Sequence, residues 1–307
     1  MRNGVNVVTL VASVLVAAPA LAGEGPSLAD LEMLGAPAAE LSPAAAELAT
    51  KLQLVRALIL GGKAEEALAT LDEVAARDVA GKYTVETLYY RGFALDALGR
   101  YDAAVVSYDE ALTRRPGDAT ILLAKGQAYL DAGRDDDARA AFEEVLSSLP
   151  EDSRALTGVA YLDISAGDMA AAREKLERAL AADASNALAM SYLGLVEMDA
   201  GRYDVARAHL ENALDLEPDN ITANYNLAAI YFMQGNYAGA EEHYRRVVAQ
   251  KPDDGQARFY LALSLEAQGR YAQAREETDK VVRSGEVVPG LVEMVDRLEQ
   301  HLSAPDK

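Results

Sequence analysis

Small, apolar and helix-breaking residues return along this chain every 34 positions. Glycine stands at 99, 133, 167, 201, 235 and 269, and five residues after each comes Ala104, Ala138, Ala172, Ala206, Ala240 or Ala274. Seven residues before each glycine the side chain is always small: Gly92, Gly126, Ala160, Gly194, Ala228 and Ala262. Seventeen residues after the glycine, Pro116, Pro150, Pro218 and Pro252 close four of the units, with Ala184 and Glu286 in the other two places. The rhythm predicts a first helix of about 14 residues, a tight turn at the glycine, and a second helix that ends at the proline. Glycine supplies the left-handed geometry of a helix C-terminus, and proline cannot continue a helix. Small residues in both helices let the two axes approach at the short end of the usual range of about 8–10 Å. Nine residues after the glycine, Tyr108, Phe142, Leu176, Leu210 and Tyr244 are predicted to fill the space between helix pairs, with Thr278 the exception. Asp118, Asp152, Asn186, Asn220 and Asp254 stand where the next first helix begins, which suits N-capping.

These columns resemble the tetratricopeptide repeat family, over six units within residues 85–288. The resemblance implies an all-α fold, a right-handed α-solenoid of helix-turn-helix units whose stacked first helices line a concave groove for a peptide segment of a partner. One column departs from the family pattern. Its large first-helix aromatic is replaced by Leu88, Leu122, Leu156, Met190, Asn224 and Arg258. Gly62, Ala67 and Leu71 mark a divergent helix pair within residues 47–84, followed by an insertion around Tyr83. Residues 289–307 hold an amphipathic stretch, Leu291 to Leu302, that reads as a capping helix over the last unit.

The beginning of the chain has a different pattern. Arg2 precedes an apolar run from Val5 to Ala18, and Ala20-Leu21-Ala22 follows as a small-x-small site. Residues 1–22 therefore read as a secretory signal peptide cut after Ala22. The run is shorter than the roughly 20 residues a bilayer span requires, so a retained anchor is the weaker alternative. The expectation is a periplasmic or secreted protein with no stable membrane insertion after cleavage. Residues 23–46, with Pro26, Pro37 and Pro43, read as a linker with a short helix around Ser27 to Leu34.

Composition narrows the chemistry. With 49 acidic against 29 basic side chains and a net charge of −20, the chain has the wrong sign for nucleic acid. The absence of cysteine excludes disulfides, thiolate nucleophiles and cysteine-held metals. His209 and His243, each eight residues after a glycine in neighbouring units, have no third metal ligand in the sequence pattern, and packing explains them better. Asp135-Asp136-Asp137 lacks the glycine and terminal glutamate of a calcium loop and reads as a solvated helix start. No phosphate loop or nucleophile motif is present. The expectation is a chain with no cofactor, no metal and no catalytic residues.

Residues ten, nine, six, three and two before each glycine are predicted to face the groove. They include Tyr89, Tyr90, Phe93, Tyr161, Tyr192, Tyr225, Asn226, Phe232, Phe259 and Tyr260, and so nine of the nineteen aromatics. Tyrosine and phenylalanine give large contact area at low entropy cost, the composition of a protein-binding surface. The alternative is that they pack between neighbouring first helices. A family clamp for a C-terminal carboxylate is disfavoured, since only Arg56, Arg154 and Asn226 offer anything similar, while Glu86, Asp96, Asp131, Asp199 and Glu266 are acidic. An apolar or basic partner segment suits this lining. The leading expectation is a non-enzymatic scaffold for an envelope assembly, in secretion, pilus, cell-wall or outer-membrane biogenesis. The alternatives are a non-catalytic accessory subunit of an envelope enzyme, such as a polysaccharide synthase or peptidoglycan hydrolase, and an enzyme with an unrecognised site. Self-association through apolar end faces is a further expectation.

Overall fold

A computed structural model describes residues 43–79 and 81–303. The expected signal peptide and the Ser27 to Leu34 helix lie outside the described residues. Those described divide after Ala166 into two compact units, and the division falls between the two helices of the third repeat.

In the first unit the helices are α1 (Pro43–Leu60), α2 (Ala64–Arg77), α3 (Thr84–Ala97), α4 (Tyr101–Arg114), α5 (Ala119–Asp131), α6 (Asp135–Ser148) and α7 (Ser153–Ser165). The second holds α8 (Met169–Ala182), α9 (Ala187–Asp199), α10 (Tyr203–Leu216), α11 (Ile221–Met233), α12 (Tyr237–Gln250), α13 (Gly255–Ala267), α14 (Tyr271–Ser284) and α15 (Leu291–Ser303). There is no strand among the described residues, and no helix there is long and apolar enough to cross a membrane. Within each unit every helix packs on the next, and first helices also touch one another: α1 on α3, α3 on α5, α5 on α7, and α9 on α11.

The sequence columns account for this arrangement. At the turns, Gly99 and Gly235 take φ of 70° and 77°, a region where a Cβ is strained. The amide of Arg100 donates to the Leu95 carbonyl at 2.8 Å and that of Gly99 to Asp96 at 2.8 Å, which satisfies carbonyls the helix end would leave open. First helices start at side-chain caps as expected. Asp118 accepts from the amide of Thr120 at 3.0 Å, Asn186 from Ala189 at 2.8 Å and Asp254 from Ala257 at 2.8 Å. The insertion before α3 is held by Asp78, whose carboxylate accepts from the amides of Lys82 and Tyr83 at 2.9 and 2.7 Å. The first helix opens at Pro43, inside the stretch expected to be linker; proline fits a first helical turn because its missing N–H would have no intrahelical partner.

The small column is required by the bulky one. A Cβ on Gly126 would lie 2.5 Å from the Phe142 ring, and one on Gly158 of α7 would lie 2.7 Å from the other edge of that ring. Phe142 is fully buried, so it cannot yield. Gly194 stands in the same relation to Leu210, at 2.7 Å. Glu286, which replaces a closing proline, accepts from the Gly255 amide at 2.7 Å, and a Cβ on Gly255 would collide with that carboxylate. Helix α15 then buries Leu291, Met294 and Leu298 in the cluster formed by α11 to α14.

Gly126→Ala is therefore expected to destabilise the protein although alanine is the better helix former by about 1 kcal/mol. Overpacking a filled site costs about 1–3 kcal/mol, so thermal unfolding should move down; an unchanged or raised Tm would contradict the proposed contact.

Candidate functional site

The inner rows of the first helices differ in what they expose. Those ten and nine residues before the glycine lie in the middle of each helix, against both neighbours. Tyr89, Tyr90, Tyr161, Tyr192, Tyr225, Asn226, Phe259 and Tyr260 are all buried, whereas Phe93 and Phe232 are partly exposed. The rings are joined by the bulky column of the second helices. Tyr244 of α12, fully buried, meets Tyr225 edge-on at 5.4 Å and stacks on Tyr260 at 5.8 Å. In the first unit Tyr108 of α4 lies 6.0 Å from Tyr89, which lies 5.7 Å from Tyr90. Most of the aromatics selected as contact residues are thus part of the helix stack.

Exposure survives nearer the turn. In the last turn before the glycine, Asp96 and Ala97 on α3 and Asp131 on α5 are partly or fully exposed, whereas Ile164 on α7 and Met198 on α9 are buried. In the second unit the same rows hold Phe232 and Met233 on α11 and Glu266 on α13, with Leu263 one turn earlier. Phe232 packs edge-on against Tyr237 at 5.3 Å and so keeps one face outward. Asn226 is fully buried, and neither of its amide atoms has a hydrogen-bond partner. Met233 and Leu263 stand in the rows that the spacing predicts to face the groove, although the contact residues selected there were aromatics and Asn226.

The acidic groups named from the sequence have distinct environments. Glu86, buried, pairs with Arg115 at 2.5 Å. Glu266 accepts from Nε and Nη2 of Arg297 on α15 at 3.1 and 3.0 Å. Asp131 accepts from Gln127 at 2.9 Å. Asp96 has a buried Oδ1 with no hydrogen-bond partner, and burial together with the charge of Asp131 pushes its pKa up to about 7. Arg154 pairs with Asp152 at 3.5 Å at the start of α7, and Arg56 stands on α1. The three groups that a carboxylate clamp would need are on different helices, and Asn226 belongs to the other unit.

The departures from the family's aromatic column are matched within each repeat. Asn224, eleven residues before its glycine, lies 2.9 Å from Nδ1 of His243, eight residues after it, and the His243 ring stacks on Tyr231 at 5.6 Å. Burial lowers the His243 pKa. In the next repeat Arg258 and Glu277 hold those two places and form an ion pair at 2.6 Å, both side chains largely buried. Both Asn224 and Arg258 also donate to the carbonyl of the closing proline before them, Pro218 at 3.0 Å and Pro252 at 2.7 Å. In an earlier repeat the two places are Leu122 and Ala141. His301 stacks on Tyr271 at 4.2 Å. No group of three metal-ligating side chains occurs among the described residues.

Family models described as tetratricopeptide repeat match residues 52–119, 192–255 and 234–287 in one case and 97–162 in another. No curated protein sequence matches. Among solved structures, a tetratricopeptide repeat protein from Parabacteroides merdae ATCC 43184 is 19% identical, with a TM-score of 0.58 over 82% of this chain and 98% of that one. A chain of the APC/C hetero-tetramer Cut9–Hcn1 is 15% identical with a TM-score of 0.70; the match covers 80% of this chain and 48% of that one. The present chain thus spans about half the length of that neighbour. PilF of Pseudomonas aeruginosa is 21% identical, with a TM-score of 0.54 over 62% of this chain and 86% of that one. At these identities the likeness is one of fold.

The paired columns make a stability prediction. Glu277→Ala should cost about 3 kcal/mol, because it leaves the Arg258 guanidinium buried without its carboxylate. Adding Arg258→Leu, which recreates the Leu122 and Ala141 combination, should recover most of the loss in urea unfolding; a double variant no more stable than the single one would refute the pairing.

Proposed function

The chain belongs to the tetratricopeptide repeat family, and from that premise we propose that it is a non-catalytic scaffold of the cell envelope that holds an extended segment of a partner protein. Proteins of this family in general bind other proteins. The observation that carries the reading is the row of partly exposed apolar side chains, Phe232, Met233 and Leu263, set over the buried Tyr225, Tyr244 and Tyr260 cluster. A rigid aromatic floor below accessible apolar side chains is the arrangement in which contact area is gained at small cost in ordering. The buried residues of the inner rows serve as the support and the turn-proximal ones as the contact. Composition supports an apolar or basic segment, since the accessible acids are Asp96, Asp131, Asp199 and Glu266.

The envelope assignment rests on the first 22 residues, with Arg2, the apolar run and Ala20-Leu21-Ala22. Assembly of a secretion system, a pilus, the cell wall or the outer membrane is the setting in which an exported peptide-binding scaffold would act.

A photocrosslinking amino acid at Phe232 or Leu263, introduced in native cells, should capture a partner, whereas one at His209 on α10 should not. The present chain, recovered from those cells, should begin at Gly23. Phe232→Ala with Met233→Ala should reduce capture about tenfold or more while helical content stays nearly intact. Capture from His209 alone would refute the surface, and a chain that retains Met1 and Arg2 would refute cleavage.

A further inference from the structure

We propose that Asp96 receives a lysine or arginine side chain of a partner segment docked on the first helices of its own unit, an inference that rests on the reading of the first helices as a peptide-binding surface. Asp96 lies three residues before Gly99 in the last turn of α3. Its Oδ1 is buried and has no hydrogen-bond partner, while the side chain as a whole is partly exposed. A carboxylate in that position is costly until a cation or donor meets it.

A second group points to the same place. Tyr108 of α4 is fully buried, and its hydroxyl has no partner. Its ring lies over Gly92, and Asp96 follows Gly92 by one turn on the same face of α3. The hydroxyl is close enough to Asp96 and Asp131 for both charges to raise its pKa. A cation placed against Asp96 would offset the negative charge that acts on both the carboxylate and this hydroxyl.

The groups around the site come from every neighbouring helix. Tyr101 and Tyr108 face it from α4, and both are raised by the two carboxylates as well as by burial. Asp131 and Gln127 stand on α5, Asp135 on α6 and Tyr161 on α7, where burial raises the phenol and Asp131 and Asp135 add to it. Arg56 is on α1, packed against α3. The charge that acts on Asp96 is that of Asp131, and it repels.

The protein itself shows what fills such a position. Glu266 occupies the same row of α13, three residues before Gly269, and there a guanidinium from a different segment, Arg297 of α15, takes both carboxylate oxygens. At Asp96 the equivalent cation would come from the partner. A metal ion is the poorer occupant, since no group of three ligating side chains is found among the described residues. Burial and Asp131 hold Asp96 protonated up to about pH 7, so capture of the cation ionises it and releases a proton. Affinity should rise with pH through that value.

The test uses the chain from Gly23 onward and two fluorescein-labelled nonapeptides, one alternating alanine with lysine and one with glutamine in place of lysine. Asp96→Asn should weaken the lysine peptide about tenfold at pH 8, while Asp136→Asn, an equal charge change at an exposed position, should alter it less than about twofold. The loss should shrink at pH 5.5, where Asp96 already carries its proton. Equal losses in the two variants, or a loss that does not depend on pH, would overturn the proposal. Asp96→Asn should fold at least as well as the parent at pH 8. A raised carboxyl pKa costs no stability below the ordinary carboxylate range and its full amount above about 7, and the variant removes that cost. If it does not fold, Asp131→Asn provides the alternative: without the repelling charge, the pH midpoint of lysine-peptide binding should fall, and an unmoved midpoint would overturn the proposal. Crosslinking from Phe232 that persists with no Asp96 effect refutes this inference alone. An Asp96 effect without crosslinking refutes the wider reading instead.

Discussion

Phe142 is held between two glycines, and the rest of the architecture follows from contacts of that kind. In three repeats the second helix presents a bulky side chain, Tyr108, Phe142 or Leu210, to a glycine of its first helix, Gly92, Gly126 or Gly194, where a Cβ would collide with it. Since interiors pack at near-crystalline density, neither partner can change size alone. The contact fixes the distance between paired helices, and the glycine turn fixes their direction. In the other three repeats the small position is alanine, Ala160, Ala228 and Ala262, each fully buried.

This constraint determines where function can be placed. The middle of the first helices is committed to packing, and Tyr89 and Tyr90 are drawn to Tyr108, and Tyr225 and Tyr260 to Tyr244. What remains available is part of the last turn before the glycine, at Asp96, Asp131, Asp199, Phe232, Met233 and Glu266. That turn carries acids in both units, Asp96 and Asp131 in the first and Asp199 and Glu266 in the second, and exposes the apolar Phe232 and Met233 in the second. The unmet bonding capacity of Asp96 and Tyr108 lies at this boundary between committed and available surface.

Much of this was legible in the sequence. The glycine, alanine and proline columns located the turns, and the acid and asparagine positions located the caps, because each has a single local physical cause. The inner-face choice was less legible. Helical spacing places Tyr192 and Phe232 on one side of their helices, but burial depends on how far each turn extends past a neighbour, which spacing does not contain. The pairing of Asn224 with His243 and of Arg258 with Glu277 was present as two columns that change together. It was overlooked because each departure was judged against the family pattern and not against its partner nineteen residues on. The raised pKa of Asp96 comes first from burial and then from the charge of Asp131 on another helix, and no sequence rule supplies either.

The central claim is that the last turns of the first helices, and not their middles or the second helices, meet a partner. The chain contains no cysteine, so a single introduced thiol reports on its own position. Ala97→Cys and Ala267→Cys, both exposed, sample the last turns, and Ala140→Cys and Ala208→Cys, also exposed, sample α6 and α10. Labelling by a maleimide should be slowed in native cells relative to the purified protein at the first two positions and unchanged at the others. Protection confined to α6 and α10 would contradict the account.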